Sequence, residues 1–257
     1  MSWLRKLIHY HGQLGVLLAA VVGAVLNARV RWRLVLAQIV AIGFGSQLVV
    51  MVTGAFTGAV FAAQSFFKFS EIGMASATAP VVSIAMAREL GPVLAGLMVA
   101  GRMGAAMAAE IGTMKVTEQL DALRSMGVSP VDYLVLPRVI AILVSMPILV
   151  AENIALGILA SDVLTTKVFG VPEAWYRYQL MAHTGLGDIM SGVIKGAVFG
   201  LLIALISCRH GLWTQNGAVG VGRSTTRAVV DSSLAILVIN LFLTLILNQI
   251  LPIVSLG

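Results

Sequence analysis

Charge is what this chain has least of. Only 11% of its 257 residues are Asp, Glu, Lys or Arg, against about a quarter in an average soluble domain. So few charges cannot cover a water-facing surface, which excludes an ordinary soluble domain. Cysteine is nearly absent as well. The one copy, Cys208, excludes an internal disulfide and a Cys-based zinc site, and is expected to be a small apolar packing residue. Catalytic signatures are missing too. There is no GxxxxGK[ST] string to hold nucleotide phosphates, no HExxH to hold zinc and no GxSxG to present a serine. The histidines, His9 and His11 among them, suit interfacial or loop positions. The chain is therefore expected to be no enzyme and to hold no catalytic residue, metal or cofactor of its own.

What the chain has instead is apolar length. Hydrophobic residues make up 59% of it and the mean hydropathy is +0.97. The uncharged runs predict an all-α membrane protein with five spans: residues 34–67, 80–102, 139–161, 189–208 and 232–257. Each is about as long as the ~20 residues a bilayer needs, or longer. Residues 12–28 form a shorter run, with Arg5 and Lys6 before it and Arg29, Arg31 and Arg33 after it. If that run crossed, one basic cluster would lie outside. An interfacial helix within residues 1–33 keeps both clusters on the cytoplasmic face. The whole chain then reads as one domain, 1–257, with a five-span bundle over 34–257.

The basic residues orient the bundle. With the N-terminus cytoplasmic and the C-terminus periplasmic, Arg5, Lys6, Arg29, Arg31, Arg33, Arg102, Lys115, Arg124, Arg138, Arg209, Arg223 and Arg227 fall inside. Only Lys68, Lys167 and Arg177 fall outside, as the positive-inside bias requires. The net charge of +6 thus reflects loops facing an anionic leaflet, and no nucleic-acid partner is expected.

Small residues at four-residue spacing, Gly54 with Gly58 and Gly192 with Gly196 and Gly200, predict close helix packing. Residues 110–138 form the longest inside loop. Val116, Leu120 and Leu123 follow helical spacing there, Gly127 ends the helix, and Ser129, Pro130 and Asp132 start the next one. Such a helix is suited to docking in a partner's groove or to lying on the membrane. The other inside loop, 208–230, is rich in glycine and reads as a hinge.

Three charges interrupt the spans: Arg88 and Glu89 in the second and Lys195 in the fourth. Each costs about 3 kcal/mol on insertion scales, so such groups face a protein interior or a wet cavity. Arg88 and Glu89 lie about 13 Å, and Lys195 about 10 Å, from the outer span ends at the helical rise, so they can share one level. They could line a site for an anionic head group, with Glu89 as a positioning partner. They could equally form an internal network that ties helices together. A self-contained channel or secondary transporter would use them as a proton or anion relay, but it favours inverted repeats, and five spans do not halve.

Two blocks carry a family resemblance. RELGPVLAGLMVAGRMGAAMAAEIGTMKVTEQLDALRSMGVSPVDYLVLPR and GVGRSTTRAVVDSSLAILVINLFLT resemble the central and C-terminal signatures of the MlaE-type permeases, membrane subunits of lipid-trafficking ABC transporters. The resemblance implies a homodimer around an outward-opening phospholipid pocket in a bacterial inner membrane, helping to maintain outer-membrane lipid asymmetry. It also implies an ATPase subunit that binds the ATP, a STAS-domain subunit and a periplasmic MCE-domain ring. Arg88, Glu89 and Lys195 match the family's polar pocket residues. Residues 114–126 would couple to the ATPase, through Glu110, Lys115, Glu118, Gln119, Leu120, Asp121, Leu123 and Arg124. In two places the chain departs from the pattern. Asn240 stands where many relatives carry an aspartate, and Glu152 has no family counterpart.

Overall fold

The computed structural model describes residues 2–27 and 30–250, with side chains from Ile8 onward. Arg29, the side chains of Arg5 and Lys6, and residues 251–257 of the last expected span lie outside the described residues. The described chain is helical and contains no strand. We number its helices α1 (Ser2–Leu26), α2 (Trp32–Glu71), α3 (Ala75–Val116), α4 (Gln119–Ser125), α5 (Val131–Val168), α6 (Glu173–His183), α7 (Leu186–Leu212) and α8 (Gly217–Ile250). Six of them are long and apolar enough to cross a membrane: α2, α3, α5, α7, α8 and the Ile8–Leu26 part of α1. The five expected spans are all present. Their helices run past the uncharged stretches at most ends, because a helix continues into the interfacial zone where charges are tolerated.

The chain divides into two compact units. The first comprises Met1–Gly45, Val99–Ser145 and Phe199–Ala235. Within it, α1 meets a series of span ends. The Arg209 guanidinium stacks 3.8 Å from the Tyr10 ring centroid and donates two hydrogen bonds to Gln13 Oε1, at 3.0 and 2.8 Å. Further along, Leu17 and Ala20 face the groups around Lys115 and Trp213. Residues 10–20 cover about 15 Å of helix, yet every one of those partners sits at the end of a span. A crossing helix would meet them at one of its own ends only. This geometry supports the interfacial reading of α1, although its length and composition would also let it cross.

Two turns in this unit differ in how well they follow the expected pattern. Gly127 ends α4 as expected, at φ +74°, with Val128 N–H donating to Leu123 O at 2.9 Å. That is a left-handed C-cap, favourable for a residue with no Cβ. Pro130 then opens the next helix, with Asp132 N 3.5 Å from Ser129 Oγ. The hinge expected over 208–230 is not there. α7 runs to Leu212 and α8 starts at Gly217, so only residues 213–216 are non-helical. Gly220 is explained by proximity, since a Cβ there would collide with the Gln215 carbonyl. Its glycine serves a tight turn rather than mobility.

The second unit comprises Ser46–Met98, Met146–Val198 and Ile236–Gly257. Its glycines pack helix on helix, as their spacing predicts. A Cβ on Gly54 would strike Asn153, one on Gly58 would strike the Gly157 backbone, and one on Gly192 would strike the Ala87 carbonyl. Such contacts bring backbones together where no hydrophobic effect favours association. The unit also contains α6, an 11-residue helix between spans that the apolar runs do not reveal.

Candidate functional site

The three charges expected inside the spans meet in the second unit, and the local fold of α3 explains how. Residues Met86–Leu90 form a π turn, a device that often marks functional positions. Two residues later comes Pro92, which has no N–H to return to the carbonyls of the preceding turn. Lys195 takes up one of them: its Nζ donates to Arg88 O at 2.7 Å. The ammonium also donates to Glu89 Oε1 and to Thr244 Oγ1, each at 2.8 Å. Gly192, one turn before Lys195, lets α7 approach this stretch of α3. The shared level of Arg88, Glu89 and Lys195 is therefore observed.

Arg88 turns to partners that the charge pattern did not single out. Its Nε donates to Asp188 Oδ1, and its Nη1 to Asn248 Oδ1. Asp188 is fully buried, and its other oxygen accepts the Gly185 N–H at 2.8 Å. Glu89 is held by α8: Asn240 Nδ2 donates to Oε2 and Thr244 Oγ1 to Oε1, both at 2.9 Å. Asn240, Thr244 and Asn248 are spaced by four, so they form one polar stripe on an apolar helix. Asn240, where the resemblance led to the expectation of an aspartate, is an amide donor to the Glu89 carboxylate.

The result is two cations and two carboxylates, with amides and a hydroxyl between them. Pairing of this kind is what allows charge to stay buried. Arg88 and Lys195 are 4% and 1% exposed. The Glu89 side chain is 38% exposed and forms the open edge of the cluster. Glu152 makes a separate contact: Gln47 Nε2 donates to its Oε1 at 3.1 Å, while its Oε2 is buried without a partner.

The residues expected to couple to an ATPase lie in the first unit and do not form one helix. The end of α3 stops at Val116, and Glu118 adopts a left-handed φ of +62° before α4 begins. That break overturns a continuous 114–126 helix. Leu120 is fully buried and anchors α4, and Leu123 is half-buried. Glu118, Gln119, Asp121 and Arg124 are exposed. Asp121 accepts from Lys115 at 3.3 Å and from Arg124 at 2.8 Å. Glu110 pairs with Arg138 at 2.7 Å. Cys208 is a buried free thiol in the same unit.

Comparison with known proteins fits this architecture. The family described as Permease MlaE matches residues 35–246. A probable ABC transporter permease protein of Rickettsia conorii is 44% identical over 225 residues, 88% of this chain and 87% of its own. One from Synechocystis is 40% identical over 88% of this chain and 86% of its own. The chloroplastic protein TRIGALACTOSYLDIACYLGLYCEROL 1 of Arabidopsis thaliana is 39% identical over 89% of this chain and 65% of its own. By these matches, and with its spans in place, the chain belongs to the MlaE permease family, membrane permeases of the ABC-transporter type.

Proposed function

We propose that the protein moves phospholipid between a bacterial inner membrane and a periplasmic MCE-domain ring. It would act as a homodimer driven by a separate ATPase that binds the ATP and carries a STAS-domain subunit. This traffic would help to maintain outer-membrane lipid asymmetry. The observation that carries the reading is the half-open carboxylate of Glu89 beside two sealed cations. A carboxylate edge left open to hydrocarbon is costly. A polar head group or a second copy of the chain covers it.

In this mechanism an apolar cavity enclosed by the two copies of the chain would take the acyl chains. The head group enters at Glu89, and its phosphate draws Arg88 and Lys195 away from Asp188 and Glu89. ATP binding on the partner pushes α4. That push would cross the turn at Thr117 and Glu118 and enter α3, which runs as one helix from Ala75 to Val116. The name of the Arabidopsis relative refers to a galactosyl diacylglycerol, which supports a glycerolipid cargo.

The test uses the assembled complex in liposomes and a charge-balanced variant, Arg88→Gln, Glu89→Gln, Asp188→Asn and Lys195→Gln. No buried charge is left alone in it, so assembly is expected to survive while lipid transfer is lost. Glu89→Gln alone, which keeps the shape, is expected to slow transfer. Wild-type transfer by the balanced variant would reduce the cluster to a tie between helices and overturn the head-group role.

A further inference from the structure

The first unit contains a second amphiphilic site, unrelated to the buried cluster. A half-open cavity of about 360 Å³ lies under α1, within the size range of small-molecule sites. Leu17 and Ala20 of α1, Val131 and Trp213 give it apolar walls, and Lys115 and Arg124 supply positive charge. Leu17 is buried, whereas the Lys115 and Arg124 side chains are 31% and 58% exposed. Asp121 is the carboxylate that faces these cations, and it binds both. Among the residues lining the cavity Lys115 and Arg124 are the charged ones, and Asp121 offsets one of the two charges.

We infer that this cavity binds the phosphate head group of an anionic phospholipid from the leaflet in which α1 lies. A free phosphate would satisfy the cations but leave the Leu17, Val131 and Trp213 wall bare. A zwitterionic lipid would cover the wall while bringing no net charge to the rim. An anionic phospholipid does both, and basic pockets beside interfacial helices recognise lipids in this way. The bound lipid bridges α1 to α4, so its presence sets how freely α4 moves. The site thereby makes the proposed coupling element sensitive to the lipid composition of that leaflet. This goes beyond the transport reading and depends on no feature of the cargo.

Binding is read directly, so its failure is separable from any failure of transport. The full chain in mild detergent is titrated with phosphatidylglycerol, phosphatidylcholine or inorganic phosphate, following tryptophan emission. A Trp213→Phe variant identifies which part of the signal is local. Phosphatidylglycerol is expected to saturate well below inorganic phosphate, which leaves the apolar wall bare, and at a concentration about tenfold below phosphatidylcholine, from the excess positive charge at the rim. Lys115→Gln with Arg124→Gln is expected to erase that preference. Ala20→Trp, an exposed position on α1, fills the cavity with the charges intact and is expected to abolish the response. Arg124→Gln alone, at an exposed side chain, guards against misfolding of the double variant. Equal affinity for the two lipids, equal affinity for inorganic phosphate, or a response indifferent to Ala20→Trp would each overturn the inference.

Discussion

Arg88 and Asp188 show how one side chain's fate depends on another 100 positions away. Both are sealed, so removing Arg88 takes from the buried Asp188 carboxylate the cation it pairs with and leaves it the Gly185 N–H. Arg88→Met should cost about 3–5 kcal/mol of stability, and Arg88→Met with Asp188→Asn should recover most of it. A double-mutant cycle by thermal unfolding in detergent measures this; additive costs would mean the pair is not formed. Arg88, Glu89 and Lys195 were legible in the sequence because charge inside an apolar run is conspicuous. Asp188 was not, because it sits where the fourth run begins and reads as an ordinary acid in a helix's first turn. Asn240, Thr244 and Asn248 did carry a signal, a four-residue polar repeat within the last span. Only the position of α3 gives that repeat a meaning.

Among the elements, the spans were legible and the pieces between them were not. Hydrocarbon imposes a length on α2, α3, α5, α7 and α8 that composition reports directly. α6 has no such constraint, and its eleven residues resemble loop. The glycines of 217–222 misled for the opposite reason: their count suggests mobility, whereas Gly220 is required by the nearby Gln215 carbonyl. α6 also has a pH signature. A hydrogen bond from Lys167 at 2.7 Å, reinforced by the charges of Arg177 and Lys167, holds the Glu173 carboxyl below the usual carboxylate range. A lowered folded pKa means that the attachment is present at neutral pH and is lost as pH falls through that depressed value. The protection factor of the amides at the start of α6, that is, exchange corrected for its intrinsic pH dependence, should therefore fall as pH drops below the ordinary carboxylate range. In Glu173→Gln that protection factor should already be low at pH 7 and change little with pH.

At the scale of the whole molecule, α4 is the exposed element proposed to receive force from the ATPase. Glu118→Lys with Gln119→Glu alters side chains that are open to solvent. The chain's own thermal midpoint should hold within a degree or two, as expected for surface changes, while recovery of the co-purifying ATPase should fall. Undiminished recovery would place the seat elsewhere. The cluster around Lys195 has a further consequence, an electrical one. A single charge shifted across the full bilayer exchanges about 2.3 kcal/mol with a 100 mV potential. Arg88, Lys195, Glu89 and Asp188 cancel, so any rigid displacement of the four does no net work against that field. A potassium diffusion potential imposed on proteoliposomes should therefore change transfer of a zwitterionic lipid only through the step that parts Arg88 and Lys195 from Asp188 and Glu89, and a rate flat at either sign would mean that the four move as one.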